Sequence, residues 1–234
     1  MRVTPIPALA DNYAWLLVEG NDAVVVDPSE AAPVLDALGD LRLVGIWCTH
    51  HHLDHVGGIP GVLAARGPVE VVGRDPRRVS SITRSVREGD TIAFGDTRIL
   101  EVPGHTLDAL AFLTGSWIFS GDTLFAGGCG RVFEETMPMM RDSLAKLRDL
   151  PGKLCCGHEY TVNNLRFARS VGLDVDARLA REEARRARGE PTVPADMDEE
   201  RATNPFLRWD DPGIVAWAAG EEPFTTLREA KNRW

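Results

Sequence analysis

The sequence has no apolar run that approaches the roughly 18 residues a membrane-spanning helix needs. Its first fifteen residues contain two prolines and an early aspartate, Asp11, but no sustained apolar stretch. This pattern is a poor match to a secretory signal peptide. We therefore expect a cytoplasmic protein with no membrane partner.

Cysteine is also scarce: there are four, and no CxxC pair is among them. Cys155 and Cys156 are adjacent, Cys48 lies in an apolar run, and Cys129 lies in a glycine-rich segment. This spacing is unlike the disulfide framework of a secreted domain. We expect reduced, structural thiols.

Positive charge is outnumbered, with 26 Lys and Arg against 35 Asp and Glu and a formal net charge of −9. A uniformly basic groove is missing, so nucleic acid is excluded as the expected partner. Overall negative charge would also repel a small anionic substrate unless cations were concentrated at one site.

Strand and helix patterns alternate over the first 160 residues. The predicted strands are Tyr13–Val18, Ala23–Val26, Leu43–Thr49, Val69–Val72, Ile99–Val102, Ala109–Leu113 and Trp117–Phe119. The predicted helices are Ala31–Leu38, Ile59–Ala65 and Met139–Leu150. A turn at Gly20-Asn21-Asp22 predicts a β-hairpin between the first two strands. The mixture is typical of an α/β layered domain, and no internal repeat interrupts it.

Beyond Glu159 the sequence becomes largely helical. The predicted elements are helices at Asn163–Val171, Asp176–Arg188 and Glu222–Trp234, and a polar, proline-containing loop at Pro191–Asn204. Glu182 and Arg186 are four residues apart, which is typical of a solvated helix face. We therefore place a boundary near residue 160, with a larger domain at 1–160 and a smaller helical domain at 161–234.

All six histidines fall in three short clusters. Four lie in the segment HHHLDH, residues 50–55; the others are His105 and His158. Each cluster follows a predicted strand, in the segments IWCTH, LEVPGH and LCCGH, and Asp122 follows a fourth. Strand ends of a rigid sheet place side chains accurately at one edge, as a metal site requires.

Imidazoles and carboxylates suit zinc, iron or manganese, whereas structural zinc sites favour cysteine thiolates. The H-x-H-x-D-H pattern offers two histidines to one ion and turns an Asp and a His toward a second, while a later carboxylate can bridge both. His51, at the variable position, is expected to be a bystander. The sequence therefore predicts two divalent ions, with zinc preferred over iron or manganese. The predicted ligands are His50, His52, Asp54, His55, His105, Asp122 and His158.

This pattern resembles the metallo-β-lactamase superfamily, which implies an αββα sandwich with the metals at one edge of the sheets. Other segments resemble glyoxalase II, the hydroxyacylglutathione hydrolase family, over nearly the whole chain. They are IPALADNY from Ile6, GGCGR from Gly127, CGHEYTVNN from Cys156, NPFLR from Asn204 and LREAKNRW from Leu227.

The resemblance implies a metal-dependent thioesterase that converts S-(D)-lactoylglutathione to D-lactate and glutathione in methylglyoxal detoxification. We expect the protein to be a monomer. Asp54 and Asp122 would be catalytic as metal ligands, and the ionised water of the site would attack the thioester carbonyl. The residues expected to contact the glutathione thioester are Arg131, Phe133, Tyr160, Arg228 and Lys231. Because Arg228 and Lys231 are three residues apart, they share one helix face.

The sequence departs from the family pattern in three places. Phe133 stands where the family often has tyrosine, Asp108-Ala109 replaces a Gly-His pair, and Asn232 replaces an aspartate. The metal pattern alone leaves alternatives open, because fold does not fix substrate. They are a single-iron persulfide dioxygenase, a thioesterase or lactonase of different substrate, and a non-catalytic metal-binding protein.

Overall fold

Two six-stranded β-sheets pack face to face in the computed structural model, which describes residues 1–234. The first sheet contains, in spatial order, β1 (Arg2–Ala8), β2 (Asn12–Glu19), β3 (Asp22–Val26), β4 (Arg42–Trp47), β5 (Glu70–Gly73) and β6 (Arg84–Ser85). The strands of the second are β7 (Thr91–Ile92), β8 (Thr97–Glu101), β9 (Leu110–Thr114), β10 (Trp117–Gly121), β13 (Lys153–Cys156) and β14 (Ala195–Asp196). A small hairpin separates β10 from β13 along the chain; its strands are β11 (Leu124–Phe125) and β12 (Gly128–Cys129).

Helices cover the outer faces of both sheets. They are α1 (Ala31–Leu38), α2 (Leu53–Val56), α3 (Ile59–Arg66), α4 (Met137–Arg148), α5 (Thr161–Ser170), α6 (Asp176–Ala187), α7 (Met197–Thr203), α8 (Pro212–Trp217) and α9 (Pro223–Arg233). None of them combines the length and apolarity that crossing a bilayer would require. The predicted αββα order of layers is confirmed.

Strand β2 shows how the sequence produces two cores. Side chains alternate across a strand, so Trp15 and Leu17 point into the large core between the sheets. Leu16 and Val18 point the other way, into a smaller core that α1 and α3 close. Because both faces are covered, the strand is a continuous apolar run without polar alternation.

Aromatic side chains join the two sheets. Trp47 of β4 stacks on Phe112 of β9 with ring centroids 5.2 Å apart, and Trp15 meets Phe119 of β10 edge-on at 6.2 Å. All four are buried. Contacts of this kind stabilise beyond the area they bury, so they help to hold the two sheets in one relative position.

The loop predicted at Pro191–Asn204 is wrong. Ala195 and Asp196 form β14, which pairs antiparallel with β13 at the edge of the second sheet. Asp196 then caps α7 by accepting from the Asp198 backbone amide. Prolines pointed to a loop, but an edge strand tolerates proline beside it. The same rule explains β1, an edge strand that contains Pro5 and Pro7 and that the sequence pattern did not predict.

The solvated face predicted on α6 is also wrong in part. Glu182 is buried and pairs with Arg181 and Arg185, not with Arg186. Arg178, one turn earlier, is buried as well and pairs with Glu200 of α7. Charge spacing showed which residues share a face but could not show that α7 covers it.

We expect Phe112→Ala to lower the free energy of unfolding by about 3–5 kcal/mol, because it leaves a cavity beneath Trp47. The matched change Phe133→Ala removes a ring that is 62% exposed and should cost less than about 0.5 kcal/mol. Urea unfolding of both variants measures the difference. Equal losses would contradict the assignment of Phe112 to the inter-sheet core.

Candidate metal centre

Two triads of ligand-bearing side chains lie next to each other at one edge of the sandwich. His50, His52 and His105 form triad one, and Asp54, His55 and His158 form triad two. In each triad the ligand atoms lie within 4.8 Å of one another. The structure therefore brings together six of the seven predicted metal ligands in two sets.

Asp122, the seventh predicted ligand, lies between the triads. Its Oδ2 is 3.5 Å from His105 Nε2 of triad one and 3.2 Å from His158 Nε2 of triad two. Its Oδ1 is 3.2 Å from His55 Nε2. One carboxylate thus faces both triads, which is the position a bridging ligand would take.

Four strand ends deliver these side chains. The triad residues 50–55 follow β4, His105 follows β8, Asp122 directly follows β10, and His158 follows β13. The prediction that histidine clusters follow strands is confirmed. α2 then turns the chain so that Asp54 and His55 face away from His52 and into triad two.

Hydrogen bonds fix the orientation of four histidine rings from outside the triads. The Nδ1 contacts are His50 with Thr49 Oγ1 (3.0 Å), His55 with Asp27 Oδ2 (2.9 Å), His105 with Arg131 O (2.9 Å) and His158 with Asp11 Oδ1 (2.8 Å). Because each Nδ1 is engaged outside the triads, each Nε2 faces the centre, as metal-binding histidines require.

Asp27 anchors both triads at once. It accepts from His55 Nδ1, from the Thr49 backbone amide at 2.7 Å and from the Thr49 hydroxyl at 2.6 Å. Because the hydroxyl gives its proton to Asp27, it accepts from His50 Nδ1 in triad one. Asp27 is buried and holds a positive φ of 49°, a conformation that is uncommon outside glycine. Sequence reasoning missed it; its signal was an Asp directly after a buried strand.

Asn12 was missed as well. Its Nδ2 donates to Asp54 O at 3.0 Å and to Asp54 Oδ2 at 3.1 Å. The backbone of Asn12 pairs with His158, beside the Asp11 carboxylate that accepts from the same ring. The segment Asp11-Asn12 therefore orients two members of triad two from one turn of the first sheet.

The histidines of triad one are held neutral. Burial lowers the pKa of His50 far below its usual value, and the neighbouring His55 lowers it further. Burial also lowers the pKa of His52 and of His105. Neutral imidazoles are the form that binds a metal ion.

Triad two shows the opposite pattern around Asp122. Burial lowers the pKa of His55 and of His158, but Asp122, together with Asp27 at His55 and Asp11 at His158, outweighs burial and raises both. Burial likewise raises the pKa of Asp122, yet His55 and His158 hold it well below its usual range. The carboxylate therefore draws positive charge to the centre of the site.

The residues present fit a pair of divalent cations. His55 Nε2 and Asp122 Oδ1 are buried, have no hydrogen-bond partner and lie 3.2 Å apart. Orphaned buried acceptors are costly unless something satisfies them, and a cation would satisfy both. Imidazole and carboxylate donors suit zinc, iron and manganese. The site thus has the composition of a dinuclear divalent metal centre.

His51 lies outside the triads. Its Nδ1 is 2.8 Å from Asp108 Oδ1, and the guanidinium of Arg78 lies beside it, bonded to Glu134 at 2.6 Å. Arg78 already supplies a positive charge to these carboxylates, so this group needs no metal ion. Asp108, one of the departures from the family pattern, therefore has a partner within the chain.

A cavity of about 410 Å³ opens from the triads toward the C-terminal helices. All five residues expected to contact substrate line it: Arg131, Phe133, Tyr160, Arg228 and Lys231. Tyr160 stacks on the His158 ring at 4.7 Å, and Phe133 lies 5.2 Å from the His105 ring. Sequence reasoning did not select five further lining residues: Phe125, Cys129, Asn163, Asn164 and Trp234.

The two cations on α9 differ in environment. Arg228 is 3% exposed, and its Nη1 donates to Cys129 O at 2.6 Å and to Gly130 O at 3.3 Å. Lys231 is less enclosed and lies over the Phe167 ring at 5.2 Å. Partial burial, followed by the charge of Arg228, lowers the pKa of Lys231 to about 8.

We expect Asp27→Asn to weaken metal binding about 10-fold to 100-fold, since it removes an acceptor that orients His55 directly and His50 through Thr49. Asp22→Asn is the matched control, because Asp22 lies at the other end of β3 and its carboxylate pairs with Arg42, away from the triads. Chelator competition measures both. Unchanged affinity in Asp27→Asn would show that Asp27 does not orient the rings.

Comparison with known proteins bears out the resemblance. Residues 9–158 match the metallo-beta-lactamase superfamily, and residues 159–234 match the hydroxyacylglutathione hydrolase C-terminus. The hydroxyacylglutathione hydrolase of Synechococcus sp. (strain JA-3-3Ab) is 46% identical over 252 residues and covers all of both chains. That of Alkalilimnicola ehrlichii is 48% identical over 254 residues and covers 99% of both.

Solved structures support the fold. ETHE1 from Myxococcus xanthus has a TM-score of 0.65 at 24% identity, covering 94% of this chain and all of that one. TTHA1623, solved in a di-iron-bound form, has a TM-score of 0.57 at 27% identity, covering 66% of this chain and 91% of that one. The triads, the cavity and the full-length matches agree. The chain belongs to the metallo-β-lactamase superfamily and, within it, to the hydroxyacylglutathione hydrolase (glyoxalase II) family.

Proposed function

We propose that this chain hydrolyses S-(D)-lactoylglutathione to D-lactate and glutathione and so serves in methylglyoxal detoxification. One observation carries the proposal: the two triads and a set of cationic residues open into the same cavity. A thioester bound there would have its acyl group at the triads and its anionic peptide end near the cations. The names of the full-length relatives support the same substrate.

Two divalent ions, zinc by preference, belong to this proposal. His50, His52 and His105 would hold one, Asp54, His55 and His158 the other, and Asp122 both. When bound, such ions supply a water ionised near neutral pH and stabilise negative charge on a carbonyl oxygen. Iron and manganese suit the same donors, and TTHA1623 was solved with two irons.

The residues of the chain position the reactants. Asp122, which faces both triads, would orient the attacking water, and Asn12 would hold Asp54 at its ligand position. Hydrolysis forms a carbon–oxygen bond and breaks the carbon–sulfur bond, and glutathione leaves as a thiolate. A thiolate is a good leaving group, so the cavity needs no strong general acid. Tyr160, whose pKa burial raises far above its usual value, stays a neutral hydrogen-bond donor.

Substrate binding would depend on local charge. The net charge of −9 repels an anionic peptide at long range, but Arg131 and Lys231 bring positive charge to the lining of the cavity. Phe133, in place of the usual tyrosine, offers an apolar ring where the family has a hydroxyl. We propose that it packs against the substrate without a hydrogen bond.

The two-part organisation and the setting of the protein also stay proposals. The family matches meet at residues 158 and 159, which supports a catalytic part at 1–160 and a substrate-binding part at 161–234. The parts share one core, however, and β14 completes the second sheet from the C-terminal side.

Four buried, unpaired cysteines support a reducing, cytoplasmic setting, and we propose a monomer there.

We expect the purified protein to hydrolyse S-lactoylglutathione and to lose that activity when a chelator removes its metal ions. Asp122→Ala should lower kcat/KM about 100-fold or more, because it removes the carboxylate that both triads share. Thioester turnover with parallel metal quantification measures both effects and identifies the metal.

Asp142→Ala is the matched control, since Asp142 is an exposed aspartate on α4. It should keep full activity and full metal content. Full activity in Asp122→Ala with two ions still bound would contradict the role of the shared carboxylate. Activity that persists without metal would contradict the whole proposal.

We expect KM for S-lactoylglutathione to rise as pH increases through about 8, the pKa of Lys231. Lysine is charged below its pKa and neutral above it, so the attraction to a substrate carboxylate is present at low pH and lost at high pH. Lys231→Arg should keep KM low across this range, because arginine stays charged. KM measured from about pH 7 to about pH 9.5 for both proteins tests this. If KM changed with pH in the same way in the wild-type protein and in Lys231→Arg, Lys231 would not bind the substrate.

A further inference from the structure

The hairpin β11–β12 links the two triads through the backbone. It lies in the segment between Asp122, the shared carboxylate, and Arg131, whose carbonyl accepts from His105 Nδ1 at 2.9 Å. Its approach to the site is close: a Cβ on Gly130 would lie 1.9 Å from Asp122 O and 3.1 Å from His105 Nδ1. A shift of this hairpin would therefore move Asp122 and His105 together.

Side chains from the C-terminal part hold the hairpin from behind. Every residue from 125 to 130 has a backbone group bonded to one of them. The bonds are Asn204 Nδ2 to Phe125 O (3.2 Å) and Gly128 O (3.0 Å), Asn164 Nδ2 to Ala126 O (3.0 Å), Gly127 N to Glu200 Oε2 (2.7 Å), and Arg228 Nη1 to Cys129 O (2.6 Å) and Gly130 O (3.3 Å). All four side chains are buried.

Glu200 is the centre of this support. Its side chain is fully buried, and its Oε2 accepts both from Gly127 N and from Asn204 Nδ2 at 3.1 Å. Its Oε1 pairs with the buried guanidinium of Arg178. Glu200 does not line the substrate cavity, so it has no route to substrate except through the hairpin.

A buried ion pair is a poor choice for stability alone, because apolar residues of similar size would pack at least as well. Its hydrogen bonds are directional, however, so each carboxylate oxygen fixes the position of the donors that it accepts from. We propose that Glu200 is a positioning residue, which sets the hairpin and through it the relative placement of Asp122 and His105. This inference rests on the proposed metal centre.

The proposal gives the C-terminal part a second role. Besides lining the cavity with Lys231 and Arg228, it would determine the geometry of metal ligands that belong to the other part of the chain. The main role of Arg228 would then be to hold the hairpin, through the bonds that its Nη1 donates to Cys129 O and Gly130 O.

The test is Glu200→Gln in the full chain, with cobalt(II) as the metal probe. The amide keeps the size of the side chain but cannot accept on both atoms. We expect weaker cobalt binding by about 10-fold or more, as for groups that orient metal ligands, and a shifted visible cobalt spectrum. A merely structural role would lower stability and leave the spectrum of the folded protein unchanged.

Glu182→Gln is the matched control: Glu182 is also a buried, arginine-paired carboxylate, but its bonds go to Arg181 and Arg185. It should lose stability and keep the cobalt spectrum. Asn204→Ala removes the side chain that donates to Phe125 O and Gly128 O of the hairpin, and it leaves no buried charge unpaired. If Glu200→Gln does not fold, Asn204→Ala tests the proposal in its place. A wild-type spectrum and affinity in the folded Glu200→Gln or Asn204→Ala protein would overturn the proposal. Wild-type protein that binds no cobalt would overturn the metal centre itself.

Discussion

The site depends on one buried carboxylate that two triads share. Asp122 lies within 3.5 Å of ring nitrogens from both, and it raises the pKa of His55 and His158 although burial lowers it. A lone carboxylate in such surroundings would be costly to bury, so positive charge must accompany it. The protein therefore forms a cation site by burying the Asp122 carboxylate among the histidine rings of the two triads.

Local pattern was enough to predict the ligands, because they follow strands and strands have a local apolar signal. It was not enough for the residues that orient them. Asp27 contacts His55, 28 positions later, and Asn12 contacts Asp54, 42 positions later. An aspartate after a strand or an asparagine in a turn is common, and only the tertiary fold shows that these two face the triads. The metal ligands can therefore be predicted from local sequence. The residues that orient them cannot, because they come from distant parts of the chain.

The C-terminal part was predicted less well for a related reason. Helix periodicity located α5, α6 and α9, but it showed only which residues share a face. Whether that face meets water depends on what packs against it, and α7 was hidden in a segment whose prolines indicated a loop. Arg178 and Glu182 are consequently buried where exposure was expected. Buried charges of this kind need partners from other elements, as Arg178 has in Glu200, so no single segment reveals them.

The same reasoning explains how an acidic protein can collect an anionic substrate. Two divalent ions carry more charge than the carboxylates of Asp54 and Asp122, and the histidines of triad one are neutral, so the filled site is positive where negative charge would develop. At the other end of the cavity, burial and then the positive charge of Arg228 lower the pKa of Lys231. A ligand that carries negative charge at both ends, as a glutathione thioester does during hydrolysis, would therefore be attracted to the cations at both ends of the cavity.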